Sequence, residues 1–322
     1  MRATVSVAVC AAWMVLAHDA FAQATMAFTR VGSIAGPVDM VEADGRYAYL
    51  AAGKTLTVVD LSDPASPIRA GAYTFPDLIW GFTLSGTTIY VAADLAGLGI
   101  LDVSDPRTPA LRGMLKTPGQ AKNVAPYGST VLVADHVSGI DAIDVSIPSM
   151  PKLTGSFFVD GFAKDVVIRD SFAYALDQPT GLSVFDLTKP GVFEPVALAP
   201  LANPIGLFAQ LAVSPGGEKA ERVGIVTGGG PLQIFTLRPG LDPVLATTYR
   251  TAGNAQRVAI HGTRAYVADG RAGLQVLDLS APSQPVVVGN YETPMPARDI
   301  AVTESLVLVV TGGEVLLLRQ QP

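Results

Sequence analysis

Apolar residues in this chain come in short runs, each cut off by a turn former. Between 257 and 288 they read Arg257-Val-Ala-Ile260, Ala265-Tyr-Val-Ala268, Leu274-Gln-Val-Leu277 and Val286-Val-Val288. The separators are His261-Gly262, Asp269-Gly270 and Ser280-Ala281-Pro282. Runs of this length, rich in β-branched residues and bounded by Gly, Pro and Asp, predict strands joined by tight turns. A helical period of 3.6 is absent, which excludes a helical solenoid.

The pattern repeats. A run ending in aspartate recurs as Leu56-Thr-Val-Val-Asp60, Gly99-Ile-Leu-Asp102, Asp141-Ala-Ile-Asp144, Leu182-Ser-Val-Phe-Asp186 and Leu274-Gln-Val-Leu-Asp278. The first four aspartates stand 42 residues apart, and the step from 186 to 278 is two such periods plus eight residues. Leu232-Gln-Ile-Phe-Thr236 fills the gap with threonine in place of aspartate, and Val315-Leu-Leu-Leu318 is a degraded last copy. Four antiparallel strands every forty-odd residues is the signature of a propeller blade. The expected fold is therefore all-β, a seven-bladed β-propeller with blades near 36–75, 76–117, 118–159, 160–202, 203–250, 251–293 and 294–322. The last segment holds three strands. Val31-Gly-Ser-Ile34 matches Val288-Gly-Asn-Tyr291, so the N-terminal strand is expected to complete the last blade and close the ring.

Together, LTVVD, LGILD, LSVFD and LQVLD, with Ala-Tyr-Val-Ala-Asp at 265–269 and Asp-Val-Ser-Asp-Pro at 102–106, resemble the LVIVD-repeat family. That resemblance covers nearly the whole chain after the N-terminal segment. It implies an exported or surface propeller of bacterial or archaeal type and carries no catalytic signature. Residues 203–250, with Thr236 and the extra Pro215–Arg222 stretch, depart most from it.

Composition sharpens the picture. The chain has 322 residues, is 49% hydrophobic and only 16% charged, and holds 32 glycines and 24 prolines. This fits one large β domain with many turns and excludes a disordered chain. A net charge of -6, without a basic stretch, argues against nucleic acid as a partner. Arg2, the apolar run from Thr4 to Ala17 and the small residues Ala20 and Ala22 have the layout of a secretory signal cleaved after Ala22. His18 and Asp19 interrupt that run before it is long enough to span a bilayer. Residues 1–22 are thus expected to be a signal peptide and 23–322 a single exported domain, periplasmic or at the cell surface. Cleavage would remove Cys10, the sole cysteine, so no disulfide or thiol chemistry is expected.

Candidate chemistry is sparse. The recurring aspartates 60, 102, 144, 186 and 278 each precede a turn, where a carboxylate accepts backbone N–H groups. One per blade scatters them around the ring, so they are expected to be structural. The starts of the innermost strands converge on the central channel and supply the candidate ligand site: Asp39; Trp80; Lys122 with Asn123; Lys164 with Asp165; Gln210; Arg257; and Arg298 with Asp299. Positions 39, 81, 123 and 165 lie 42 apart, as do 257 and 299, which suggests a common register. Lys122, Lys164, Arg257 and Arg298 are the expected donors to an anionic or polar ligand and Trp80 a stacking surface. The competing reading is a solvated channel mouth where Arg257, Asp299, Arg298 and Asp39 pair across adjacent blades at little net gain.

His136 and His261 are too few for a histidine metal site, no spaced calcium loop appears, and Thr227-Gly-Gly-Gly230 lacks the Lys-Ser/Thr of a phosphate loop. Neither a catalytic residue nor a cofactor is expected. The function read from the sequence is an exported, monomeric binding or scaffold module for another envelope protein, a glycan or a small polar ligand. The alternative is a periplasmic hydrolase or lyase with its site at the charged channel mouth.

Overall fold

The computed structural model describes residues 26–321, except 158, 160, 179–180, 190–193, 203–209, 215–221, 228–229 and 239–241. The expected signal peptide, residues 215–221 of the extra stretch and the glycines 228 and 229 lie outside the described residues. After β1 (Phe28–Ala35), the strands run in consecutive groups of four. The first group is β2 (Met40–Ala43), β3 (Tyr47–Ala52), β4 (Thr55–Asp60) and β5 (Ile68–Thr74). The second is β6 (Gly81–Ser85), β7 (Thr88–Ala92), β8 (Leu98–Asp102) and β9 (Ala110–Leu115). Next come β10 (Asn123–Tyr127), β11 (Thr130–Ala134), β12 (Ile140–Asp144) and β13 (Lys152–Phe157), then β14 (Phe162–Arg169), β15 (Phe172–Gln178), β16 (Gly181–Asp186) and β17 (Ala197–Pro200). They are followed by β18 (Gln210–Val213), β19 (Arg222–Thr227), β20 (Leu232–Leu237) and β21 (Val244–Tyr249). The sixth group is β22 (Arg257–His261), β23 (Arg264–Ala268), β24 (Leu274–Asp278) and β25 (Val286–Tyr291). The chain ends in β26 (Asp299–Val302), β27 (Val307–Val310) and β28 (Glu314–Gln320).

Each group forms a four-stranded antiparallel sheet, and the last three strands take β1 as their fourth, in the order β1-β28-β27-β26. The described residues thus hold seven four-stranded sheets. Their first strands are neighbours in succession, and β26 in turn touches β2.

Between each pair of neighbouring sheets lies one apolar cluster. Val59 and Leu50 of β4 and β3 meet Leu308 and Leu317 of β27 and β28. On the other face of the last sheet, Leu316 and Leu318 meet Tyr266 and Val276 of the sixth. Successive side chains of a strand point to opposite faces. A sheet sandwiched on both sides therefore buries both sets, which is why polar–apolar alternation is missing and Val315-Leu-Leu-Leu318 is apolar throughout. Burying each such leucine contributes about 1.5–3 kcal/mol relative to exposure.

The recurring aspartates hold the turn after each third strand. Asp60 accepts from Ser62 N at 2.8 Å, Asp102 from Ser104 N at 2.8 Å, Asp144 from Ser146 N at 2.8 Å, Asp186 from Thr188 N at 2.9 Å and Asp278 from Ser280 N at 2.7 Å. Bonds from the hydroxyls of the same serines and threonine, with these backbone bonds and Arg112 at Asp102, favour the charged form and hold all five carboxyls below their ordinary range. The turns then reach the preceding sheet. A Cβ built on Gly32, Gly71 or Gly113 would lie 1.8, 2.5 or 2.0 Å from the carbonyl oxygen of Pro64, Pro106 or Pro148. The Asp-x-Ser-x-Pro phrase and the glycine of the previous outer strand are two halves of one blade-to-blade contact.

The expected closed ring needs correction in two respects. The sheets stay separate four-stranded units, and the two ends of the chain are linked by the β1–β28 ladder, by backbone bonds from Gly36 N to Gly313 O and from Gln321 N to Ala27 O, and by Val41 N donating to Asp299 Oδ2. Thr236, standing where the other copies have aspartate, donates to Val244 O at 3.4 Å, across its own strand pair. Finally, the sequence alignment of 39 with 81 is off by one. Asp39 N donates to Ala51 O as Trp80 N does to Ala92 O and Lys122 N to Ala134 O, so Asp39 corresponds to Trp80 and Met40 to Gly81.

Candidate functional site

Each first strand starts on the face where the chain enters a sheet, and the turn joining second to third strand lies on that same face. Backbone contacts tie these turns to the next entrance, pairing Asp94 with Ala121, His136 with Ala163 and Gly270 with Ala297. Asp94, His136 and Gly270 occupy equivalent positions with φ of 43°, 53° and 58°, a left-handed conformation that the turn imposes and that Asp and His tolerate better than most residues.

Inside this ring of loops is a cavity of about 1080 Å³. Of the expected site residues, Asp39, Trp80, Lys122, Asn123, Lys164, Arg257 and Arg298 line it. Asp165 and Asp299 do not; they lie deeper, in a second space of about 530 Å³ that runs down the channel and shares Asn123 and Arg257 with the first. Gln210 opens β18 opposite Thr227, and its side chain lies outside the described residues. His136 and Arg271 also line the cavity and were not expected there. Arg271 could have been found from the repeat, since Gly270-Arg-Ala-Gly273 aligns with Asp94-Leu-Ala-Gly97 and His136-Val-Ser-Gly139.

Of the four charges expected to pair, the structure pairs Arg257 with Asp299, though not as an exposed pair. Arg257 Nε meets Asp299 Oδ1 at 3.1 Å with the aspartate side chain only 7% exposed. Asp39 does not pair with Arg298; its Oδ2 accepts from Gly53 N at 2.9 Å within its own sheet. The buried carboxylates act as links between sheets. Asp299 accepts from Val41 N at 2.9 Å, Glu42 from Leu84 N at 2.8 Å, and Asp165 from Leu211 N at 2.8 Å and from Asn123 Nδ2. Burial pushes all three carboxyls up, that of Glu42 to about 7. An acid that bonds the next sheet's backbone is a structural element of the channel wall.

Trp80 is likewise not an open stacking platform, because Lys122 Nζ sits 4.1 Å from its ring centroid. That ammonium is also 3.3 Å from Asp94 Oδ1. Lys164 has a different setting: it is buried, its Nζ lies 5.7 Å from the Phe162 ring centroid, and no carboxylate pairs with it among the described residues. Desolvation, then Lys122, lower its pKa. His136 stacks on the same phenylalanine at 4.6 Å, and desolvation with Lys164 and Lys122 lowers its pKa as well. Five cationic residues (Lys122, Lys164, Arg257, Arg271 and Arg298) and one carboxylate, Asp39, therefore line the cavity. Two of those cations are neutralised by Asp94 and Asp299; the other three have no carboxylate partner among the described residues. In a chain of net charge -6 this is a local reversal of sign, suited to an anion.

Separate antiparallel four-stranded sheets stacked about a central channel define a β-propeller. The LVIVD repeat model matches residues 35–74, 80–117, 118–159 and 252–293, and the chain belongs to that family. The unmatched regions include β14 to β21, where Thr236 and the longer spacing fall. Among solved structures, the chain is similar to the β-propeller domain of Cps50 (Swd1) from Myceliophteria thermophila, with a TM-score of 0.74 at 12% identity over 91% of this chain and 99% of that one. At that identity the likeness shows the fold alone. Comparison with curated proteins gives no match. Among the described residues no helix is long and apolar enough to cross a membrane, and no cluster of three or more His, Cys, Asp or Glu could hold a metal.

Proposed function

We propose that this propeller is an exported binding module whose ligand enters the channel mouth and is held there by its anionic groups. The observation that carries the reading is the cavity of about 1080 Å³, with Lys164, Arg271 and Arg298 unneutralised on its wall. That volume is at the upper end of the roughly 300–1,000 Å³ typical of ligand pockets. Cations held in a partly desolvated mouth interact with an anion more strongly than they would in open water. Asp165 and Asp299 are committed to backbone links, which supports binding over acid–base turnover. Export to the periplasm or cell surface, proposed from the N-terminal pattern, would place the module among envelope proteins and glycans.

Citrate serves as a simple probe. Titration should give a saturable change in Trp80 fluorescence, through displacement of Lys122 from its ring, that weakens as salt is raised. The double variant Lys164→Met with Arg298→Met should lose the response while melting at an unchanged temperature. A flat titration in the unaltered protein, or one that survives the double variant, would remove the support for the reading.

A further inference from the structure

The mouth is chemically two-sided. Leu78, Leu95, Val137 and Phe162, at 43%, 55%, 64% and 44% exposure, stand at the entrances and turns of the second, third and fourth sheets. Lys122 and Lys164, both less exposed, stand at strand starts of that same arc. On the sixth and seventh sheets the corresponding arc carries Arg257, Arg271 and Arg298, with Met295 at 48% exposure before Arg298. The contrast is sharpest at equivalent turn positions: the residue after Asp94 is Leu95, that after His136 is Val137, and that after Gly270 is Arg271. One repeated turn thus presents an apolar side chain on one side of the opening and a guanidinium on the other.

Exposed apolar residues scattered singly need no explanation, but an apolar arc beside a binding cavity marks an interaction site. A small multivalent anion such as citrate would use the cations and leave the apolar arc in water. A neutral glycan would leave three cations unpaired. The occupant that satisfies both arcs is amphipathic: apolar side chains over Leu95, Val137 and Phe162, and carboxylates toward Arg271 and Arg298, with Lys164 beneath.

Resting on the reading of the mouth as an anion site, we propose that the ligand is an acidic peptide segment of a partner protein, with carboxylates along one edge and apolar side chains along the other. Guanidinium groups bind carboxylates bidentately, which orients such a segment across the opening. The apolar arc then supplies the contact area that a rim of charges alone does not.

The test uses a fluorescein-labelled synthetic peptide of glutamates and leucines arranged on opposite edges, its analogue with glutamine for glutamate, and its analogue with serine for leucine. Fluorescence anisotropy should show the serine analogue binding at least about tenfold more weakly than the parent, since burying even one leucine side chain accounts for that factor. The glutamine analogue should also be weakened, because it loses the charge-assisted bonds to the guanidinium groups. The protein variant Leu95→Ser with Val137→Ser, both exposed, should weaken the parent peptide about tenfold while leaving citrate binding unchanged. If the serine analogue binds as well as the parent, or that variant has no effect, the ligand is a small anion and the peptide proposal falls with the anion site intact. If phosphatidylglycerol vesicles bind and the peptide does not displace them, the surface is for a membrane and the proposal also falls. If neither citrate nor any peptide binds, the reading of the mouth itself fails.

Discussion

Replacing Glu42 by glutamine should make the protein's stability less sensitive to pH. In the structure Glu42 lies on the channel wall, with Oε2 accepting from Leu84 N of the next sheet at 2.8 Å. Burial, with a further push from Asp299, raises its carboxyl from an ordinary 4.5 to about 7, against the Leu84 bond and Arg257, which lower it. Below the ordinary value both folded and unfolded chains carry the proton, and the stability that depends on it is fully present. Between 4.5 and about 7 the unfolded chain gives up the proton while the folded one keeps it, so stability falls as pH rises. Above that window both are ionised and the loss is complete. Each factor of ten in proton affinity is about 1.4 kcal/mol, and water reaching the channel side of the group screens part of it, so the loss is about 1–3 kcal/mol. Glutamine is neutral at every pH and can still accept from Leu84. Urea unfolding, followed by Trp80 fluorescence at intervals from pH 4 to pH 9, should show the variant equal to the parent at the acid end and more stable by that amount at the alkaline end. Asp141, raised to about 6 by burial and by Asp135, titrates in the same window, and subtracting one curve from the other removes its contribution. Parallel curves would refute the argument, since they would mean that Glu42 is ionised and solvated in the folded protein.

Two further predictions test the frame. Gly113→Ala would place a Cβ 2.0 Å from Pro148 O, a backbone atom that cannot swing aside, and should cost about 1–3 kcal/mol in chemical denaturation, as overpacking does. Gly230→Ala, which meets nothing within 4 Å, should stay within about 0.5 kcal/mol of the parent. Deleting residues 27–35 removes β1 and leaves β28 as an unpaired edge, so the product should aggregate on size-exclusion chromatography; a soluble, cooperatively melting deletion variant would count against the role given to β1.

Much of the molecule is legible in its sequence. The terminal aspartates repeat at a fixed interval because each must cap the same turn, and the hydrogen bonds that Asp60 accepts from Ser62 and Asp278 from Ser280 are that requirement realised. Strand runs were visible because β-rich segments bounded by turn formers are a local property of the chain. The convergence of Lys122, Lys164, Arg257 and Arg298 was also legible, since a repeat carries register from one sheet to the next. The place of His136 at the cavity was not legible, because its stacking on Phe162 joins two different sheets.

The roles of the charges were decided only by tertiary structure. Asp165, Asp299, Lys164 and Arg298 all sit at strand starts and look equivalent in the sequence. Folding buries the two carboxylates against the backbone of the next sheet, covers the lysine, and leaves the arginine exposed at the mouth. The one-residue offset between Asp39 and Gly81 has the same origin: local pattern gives a strand's existence, while its register is set by hydrogen bonds to Ala51 and Ala92 on the neighbouring strand. The repeat by itself determined which segments become strands and turns, because those preferences act over a few neighbouring residues. Solvent exposure, charge pairing and the two-sided mouth depend on residues brought together from different sheets, so only the assembled structure could decide them.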